Sequence, residues 1–170
     1  MSLATRTHHP DSEDPMLDTP HIVHAPARRA AVVRLRVSRA QLPQAIEAAI
    51  EEVRDALAAQ DIAPAGAPFA HYLRMDSETL ELDVGIPVDT PVTPRGRVMP
   101  GALPAARVAR AVYQGAYDGL YTAWSEFGSW IHATGHAIAR GQWEVYAVGP
   151  ESNDDPATWR TELNLPLASA

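Results

Sequence analysis

The sequence predicts an α+β fold in which one βαββ unit occurs twice. Apolar and polar residues alternate in several short stretches, as in half-buried strands, whereas two longer stretches repeat their apolar residues at helical spacing. The order strand, helix, strand, strand appears in residues 30–88 and again in residues 105–168. We therefore expect a mostly antiparallel sheet with two main helices on one face; the pattern leaves open whether the sheet is curved with a ligand cleft between its halves.

A segment of different composition precedes the first repeat. Residues 1–27 combine scattered prolines with adjacent histidines and an acidic run, and they lack both strand and helix periodicity. This composition predicts a flexible N-terminal tail over residues 1–27, with order beginning near Ile22. The remainder, residues 28–168, has the length of a single domain.

Each repeat supplies one helix and three strands. In the first repeat the predicted elements are a strand at 30–37, a helix over 42–57, and strands at 69–75 and 80–86. In the second repeat they are a strand at 107–114, a helix over 120–138, and strands at 143–148 and 159–167. Residues 87–104 are rich in proline and glycine, and we expect a loop between the repeats.

The composition excludes several classes of function. The net charge is −7 and the chain has no lysine, which argues against direct DNA binding. It has no cysteine for disulfides or thiolate metal sites, no apolar run of membrane-spanning length, and no signal peptide, so a soluble cytoplasmic protein is expected. His132 and His136 have the spacing of a zinc-binding helical pair, but position 133 is Ala where the motif has Glu. Neither a metal nor a cofactor is predicted.

If both helices cover the apolar side of the sheet, the opposite side collects polar residues. These are Arg34, Arg36, Tyr72, Arg74, Glu81, Asp83, Glu144, Tyr146, Arg160 and Glu162. One interpretation is a solvent-exposed face with cross-strand ion pairs. The other is a cleft in which Tyr72, Glu144, Tyr146 and Glu162 surround a ligand. A carboxylate among aromatic rings suits a large, flat cation.

The predicted second helix carries aromatic residues of two possible uses. Phe127 and Trp130 recur on its apolar stripe, which is typical of core packing. Core packing is favoured, but they could still form the wall of a pocket between helix and sheet.

Three segments of the second repeat resemble the GyrI-like family. They are residues 108–119 (VARAVYQGAYDG), 143–146 (WEVY) and 155–167 (DPATWRTELNLPL). Members of this family are the effector-binding domains of AraC-type and MerR-type multidrug regulators, and they also occur as standalone proteins. The likeness extends over about residues 20–168 and implies a small-molecule cleft between the two repeats.

The resemblance also implies roles for particular residues. In the family a buried glutamate faces hydrophobic, cationic ligands. Glu162 and Glu144 match acidic positions of its motifs, and we expect both in one cleft, with Glu162 first and with Tyr146, Tyr72 and Trp143 nearby. The usual pattern has an aromatic residue where this chain has Asn164. The regulators also carry a DNA-binding domain that residues 1–27 are too short to form, so a standalone sensor or sequestering protein is expected.

Two other functions remain open. Some members of the family are hydrolases of electrophilic compounds, and a pocket glutamate with Tyr146 or Tyr72 as proton donor would supply such chemistry. No catalytic residue is assigned with certainty. A protein-interaction role, like that of a gyrase inhibitor, follows from family analogy alone. The sequence leaves a homodimer open as well.

Overall fold

The computed structural model describes residues 16–168, which form nine strands and two helices. The strands are β1 (Met16–Leu17), β2 (His21–Ala25), β3 (Arg28–Ser38), β4 (Phe69–Met75), β5 (Thr79–Pro87), β6 (Val98–Leu103), β7 (Ala106–Gln114), β8 (Trp143–Val148) and β9 (Arg160–Pro166). The helices are α1 (Leu42–Ala59) and α2 (Leu120–Ala133), and short 3-10 turns occupy Tyr117–Gly119 and Pro156–Thr158.

All nine strands join one antiparallel sheet. Its order is β1-β7-β9-β8-β4-β5-β3-β6, and β2 also pairs with β7. The central six strands are symmetric about the β4–β8 pair, because β3-α1-β4-β5 on one side is matched by β7-α2-β8-β9 on the other. The predicted α+β fold with a duplicated βαββ unit is therefore confirmed.

Both helices pack against the same face of the sheet, each over its own repeat. The apolar side of α1, with Ala49, Val53 and Leu57 fully buried, packs on β3 and β5. The apolar side of α2, with Phe127 and Ile131 fully buried, packs on β7 and β9. The β4–β8 seam consequently lies between the two helices, where the cleft was expected.

The opposite face is the concave inside of a half-barrel. One apolar cluster joins residues of six strands there, including Phe69, Trp143 and Leu103, which are all buried. The short connections from β2 to β3 and from β6 to β7 bring the two ends of the sheet close enough for this contact. The sheet therefore buries apolar side chains on both faces, although helices cover only one.

The predicted loop at 87–104 contains a strand. Residues Val98–Leu103 pair with β3 along the edge of the sheet, where a proline costs no ladder hydrogen bond. A Cβ at Gly101 would lie only 2.6 Å from the Val32 side chain, so the close approach of β6 requires glycine there. Proline and glycine thus serve the edge strand that they were expected to interrupt.

The predicted tail is too long at its C-terminal end. Residues 21–25 form β2 and pair with β7 from His21 opposite Arg110 to Ala25 opposite Ala106, and residues 16–17 extend the same edge. The edge of the second repeat thereby gains a partner. The rest of the tail prediction, for residues 1–15, lies outside the described residues.

The second helix ends earlier than predicted, at Ala133 rather than at residue 138. Gly135 has a φ of +79°, a left-handed conformation that commonly stops helices, and its N–H bonds to the His132 carbonyl. His132 and His136 therefore do not share one helix. Among residues 16–168, no group of histidines and carboxylates has the arrangement of a metal site. No helix in this range is both long and apolar enough to cross a membrane.

Candidate functional site

Glu144 lies on the helix-covered face of the sheet, at the β4–β8 seam. In β8 it stands opposite Ala70 of β4 and Leu163 of β9, and directly paired residues of antiparallel strands point to the same side of the sheet. Leu163 belongs to the apolar cluster beneath α2. The side chain of Glu144 therefore points between the two helices.

Three aromatic side chains donate hydrogen bonds to the Glu144 carboxylate. The indole N–H of Trp124 lies 2.7 Å from Oε1, and the hydroxyls of Tyr146 and Tyr72 lie 2.8 Å and 3.5 Å from Oε2. The donors come from α2, β8 and β4, so both repeats contribute to the cluster. Only 5% of Glu144 is exposed. The carboxylate is thus solvated by the protein instead of by water.

The surroundings of Glu144 disfavour its negative charge. Burial raises the pKa of Glu144, and the hydrogen bonds from Trp124, Tyr146 and Tyr72 oppose this shift only in part. Burial and the nearby carboxylate also raise the pKa values of Tyr146 and Tyr72 well above the ordinary value, so both phenols stay protonated as donors. Among residues 16–168, no basic side chain forms an ion pair with Glu144.

Further aromatic rings extend the cluster toward the surface. The ring of Tyr117 lies 5.7 Å from that of Tyr146 and 4.9 Å from that of Trp159, and all three residues are half-buried. A hydrogen bond of 2.8 Å from the Trp159 indole to the Asn153 carbonyl holds that ring in place. The site therefore combines a buried acid with an accessible aromatic wall.

Sequence reasoning missed Trp124, Tyr117 and Trp159 as site residues. Trp124 has the helical spacing of a core residue, one turn before Phe127, and its ring does lie 5.8 Å from that of Phe127. The contact of Trp124 with Glu144 depends on how α2 crosses β8, which spacing along one helix cannot show. The YDG motif that carries Tyr117 was the available signal, since it forms the turn that enters α2.

The expectation of one cleft for both glutamates is wrong. Glu162 stands opposite Val145, the neighbour of Glu144 in β8, so the two carboxylates point to opposite faces of the sheet. Glu162 is half-buried on the concave face, where its Oε1 lies 3.2 Å from Arg110 Nε and accepts a 3.1 Å hydrogen bond from Asn164. Glu162 has a basic partner, unlike Glu144.

Asn164, where the family has an aromatic residue, also belongs to the concave face. It is fully buried, and its Oδ1 accepts a 2.7 Å hydrogen bond from Arg110 Nε while its amide donates to Glu162. Asparagine therefore orients an ion pair at this position. Its identity has no direct bearing on the cleft around Glu144.

The predicted polar face divides between the two sides of the sheet. Arg34 and Asp83 form an ion pair on the concave face, with Arg34 Nε 2.9 Å from the carboxylate, as the ion-pair interpretation predicts. Tyr72, Glu144 and Tyr146 lie instead on the helix-covered face. Tyr72, opposite Leu82, and Arg74, opposite Glu81, lie on different sides because β4 has a bulge between them.

The other predicted site residues are core residues. Phe127, on the sheet-facing side of α2, is fully buried, and Trp130 packs half-buried against the same cluster. Trp143 is buried on the concave face, opposite Asn164 and with its ring 6.0 Å from that of His71. Of the predicted set, the structure brings together Glu144, Tyr146 and Tyr72.

The sheet is built from two βαββ units, and a buried acid among aromatic rings lies between its helices. This arrangement is typical of domains that bind small molecules. Residues 18–168 match the GyrI-like small molecule binding domain, and the chain belongs to this family. The sequence matches no functionally curated protein.

Several solved structures share the fold. The chain resembles EcmrR in a cryo-EM EcmrR–DNA complex, with 17% identity and a TM-score of 0.79 over 89% of this chain. It spans only 58% of that protein, but 98% of the separately solved EcmrR C-terminal domain, where the identity is 18% and the TM-score 0.76. SAV2435 bound to tetraphenylphosphonium is also similar, at 11% identity and a TM-score of 0.63 over 89% of this chain and 95% of that protein.

Proposed function

We propose that the cleft between α1 and α2 binds hydrophobic, aromatic cations and that Glu144 is their counter-ion. One observation carries the proposal: Glu144 is a buried carboxylate with three neutral donors and, among the described residues, no basic partner. Burying a lone carboxylate is costly. A bound cation would supply the missing positive charge and so offset the electrostatic cost of burying the carboxylate.

The aromatic residues supply the remaining affinity. Tyr146 donates to the acid, its ring contacts that of Tyr117, and Trp159 contacts Tyr117 in turn; such rings attract a cation while excluding water. Their large contact area with few rotatable bonds favours ligands that are themselves aromatic. Size and charge are thereby selected without directional hydrogen bonds, which permits a range of ligands.

Ligand entry requires movement of the side chains that cover Glu144. The carboxylate is enclosed by Trp124, Tyr146 and Tyr72, so a cation reaches it only when one of these rings rotates. Tyr146 and Trp124 are half-buried, whereas Tyr72 is buried. We infer that Tyr146 or Trp124 opens the site.

The similar proteins support this choice of ligand. SAV2435 binds tetraphenylphosphonium, a lipophilic aromatic cation, on the same fold. A domain of this kind would act as a sensor or as a protein that sequesters its ligand. A cytoplasmic location and a homodimer remain predictions.

Calorimetric titration with tetraphenylphosphonium tests the proposal. We expect Glu144→Gln to weaken binding at least tenfold near pH 8, because it removes the counter-charge but keeps the shape of the side chain. The matched control is Glu162→Gln, on the opposite face, which should change the affinity less than twofold. The neutral triphenylphosphine oxide should bind both variants and the wild type equally. Equal tetraphenylphosphonium affinities in all three proteins would overturn the proposal.

The same cluster favours a second candidate, hydrolysis of a reactive electrophile. A carboxylate with a raised pKa beside a protonated tyrosine can act as a general base while the tyrosine donates a proton. Two structurally similar proteins from Listeria innocua are described as hydrolases, one at 11% identity and a TM-score of 0.58 over 88% of this chain and 91% of that protein. Incorporation of ¹⁸O from labelled water into an epoxide probe, lost in Glu144→Gln and Tyr146→Phe, would support this function. No incorporation by the wild type would exclude it for that substrate class.

A further inference from the structure

The concave face contains a cavity of about 400 Å³, separate from the cleft. Its floor is formed by Phe69, Trp143 and Val145, of which the first two are almost fully buried. The connection that joins β2 to β3 and the end of β6 at Leu103 border it, where the two ends of the sheet approach each other. The volume is in the range of pockets that enclose small organic molecules.

Three charged side chains line this cavity. Glu162 is compensated by Arg110 and Asn164, and both contacts of Arg110 use its Nε atom. The terminal amino groups of Arg110 therefore remain available within the described residues. Arg28 donates to the Ala65 carbonyl at 2.9 Å, and none of the described carboxylates lies within ion-pair distance of it. The cavity thus carries one net positive charge.

We propose that this cavity is a second binding site, for small aromatic monocarboxylates. The carboxylate would contact Arg28 and the terminal amino groups of Arg110, which both line the cavity and carry the planar donors that suit a carboxylate. The aromatic body packs against the accessible apolar lining at Pro26, Ala67 and Val145, above the buried rings of Phe69 and Trp143. Asn164 keeps Glu162 bound to Arg110, so that the acid does not repel the ligand at full strength.

The two sites differ in the sign of the ligand they accept. Glu144 and Val145 are consecutive in β8 and point to opposite faces, so only the thickness of the sheet separates the cleft from the cavity. The cleft has an uncompensated acid and the cavity an uncompensated base. A carboxylate is repelled by the first and attracted by the second. The proposal therefore stands independently of the cation-binding function of the cleft.

Binding of 1-naphthoate, followed by calorimetry, tests the second site. We expect Arg28→Gln to weaken naphthoate binding about tenfold or more. Arg36→Gln is the matched control, because Arg36 lies on the same strand and face but outside the cavity and is exposed. Arg28 is exposed as well, so its replacement should leave the fold intact. The uncharged 1-naphthamide should bind weakly and equally to both variants.

Two further variants locate the bound naphthoate. Glu162→Gln should tighten binding a few-fold, because it removes a negative charge from the cavity, whereas Glu144→Gln should leave it unchanged. The proposal is overturned if naphthoate does not bind the wild type, or if Arg28→Gln and Arg36→Gln bind it equally. Competition between naphthoate and tetraphenylphosphonium in the wild type, together with a loss of naphthoate binding in Glu144→Gln, would place the anion in the cleft and equally overturn it.

Discussion

Glu144 and Glu162 lie on adjacent strands but in opposite electrostatic environments. Glu144 is enclosed by Trp124, Tyr146 and Tyr72, whose neutral groups donate to it without cancelling its charge. Glu162 is half-buried and has both a guanidinium and an amide as partners. The type of side chain is the same, so the difference in environment comes from which face of the sheet each one occupies.

Glu162 is paired with the residue next to Glu144 in β8, and this offset of one residue places the two acids in different environments. A compensated acid such as Glu162 mainly stabilises and orients its neighbours, and its charge is no longer available to a ligand. An uncompensated acid such as Glu144 holds unfavourable electrostatic energy that a cation can relieve. An acid without a basic partner is therefore the better candidate for ligand recognition.

The largest expected effect tests whether both faces of the sheet are true core. Phe127 on the sheet-facing side of α2 and Phe69 on the concave face are each fully buried, so replacing either by alanine should cost about 3–5 kcal/mol in unfolding free energy. Tyr121 on α2 and Met75 on β4 are exposed, and their alanine variants should cost less than about 1 kcal/mol. Urea denaturation measures all four. A small loss for Phe69→Ala would show that the concave face is solvated and would remove the basis for a cavity there.

A smaller effect is expected from the donor that is specific to the cleft. Trp124→Phe removes the 2.7 Å hydrogen bond that favours ionised Glu144, so binding of tetraphenylphosphonium should weaken about three- to tenfold. Titration calorimetry checks this, and the double variant with Glu144→Gln serves as the control. In that background Trp124→Phe should have little further effect. Equal losses in both backgrounds would mean that Trp124 contributes through packing alone.

The smallest effect concerns the compensated acid. Glu162→Gln replaces a part-exposed ion pair by a neutral contact, which should cost about 0.5–1 kcal/mol in unfolding free energy, with a smaller cost at high salt. Chemical denaturation at low and high salt measures it. A cost of several kcal/mol that is independent of salt would contradict the picture of Glu162 as an ordinary, solvent-screened partner of Arg110.

The duplicated fold could be predicted because its signals are local. Alternation and helical spacing identify strands and helices one at a time, and their repeated order indicates the duplication. The strand at Val98–Leu103 was missed because an edge strand tolerates Pro100 and needs Gly101, and these same residues predict a loop. Pairing with β3 depends on distant residues that no local pattern reports.

The sequence predicted the wrong face of the sheet for several side chains in β4 and β8. Alternation identifies the buried side of a strand only when the other side is polar, and Trp143 and Val145 in β8 are apolar yet face the concave interior. Their neighbour Glu144 consequently lies on the helix-covered face. In β4 the bulge after Tyr72 shifts the alternation by one residue. The first error comes from the curvature of the sheet and the second from the bulge in β4, and the sequence displays neither.

The most direct test of the central claim is the pH dependence of cation binding. Burial raises the pKa of Glu144, so at low pH the folded protein holds this carboxyl protonated and uncharged. Calorimetry with tetraphenylphosphonium, from about pH 4 to pH 8, should show affinity rising as Glu144 ionises above the ordinary glutamate pKa of about 4.3 and then levelling off. Glu144→Gln should bind weakly with a flat profile, and Glu162→Gln should follow the wild type. If the wild type and Glu144→Gln share the same pH profile, Glu144 is not the counter-ion of the ligand.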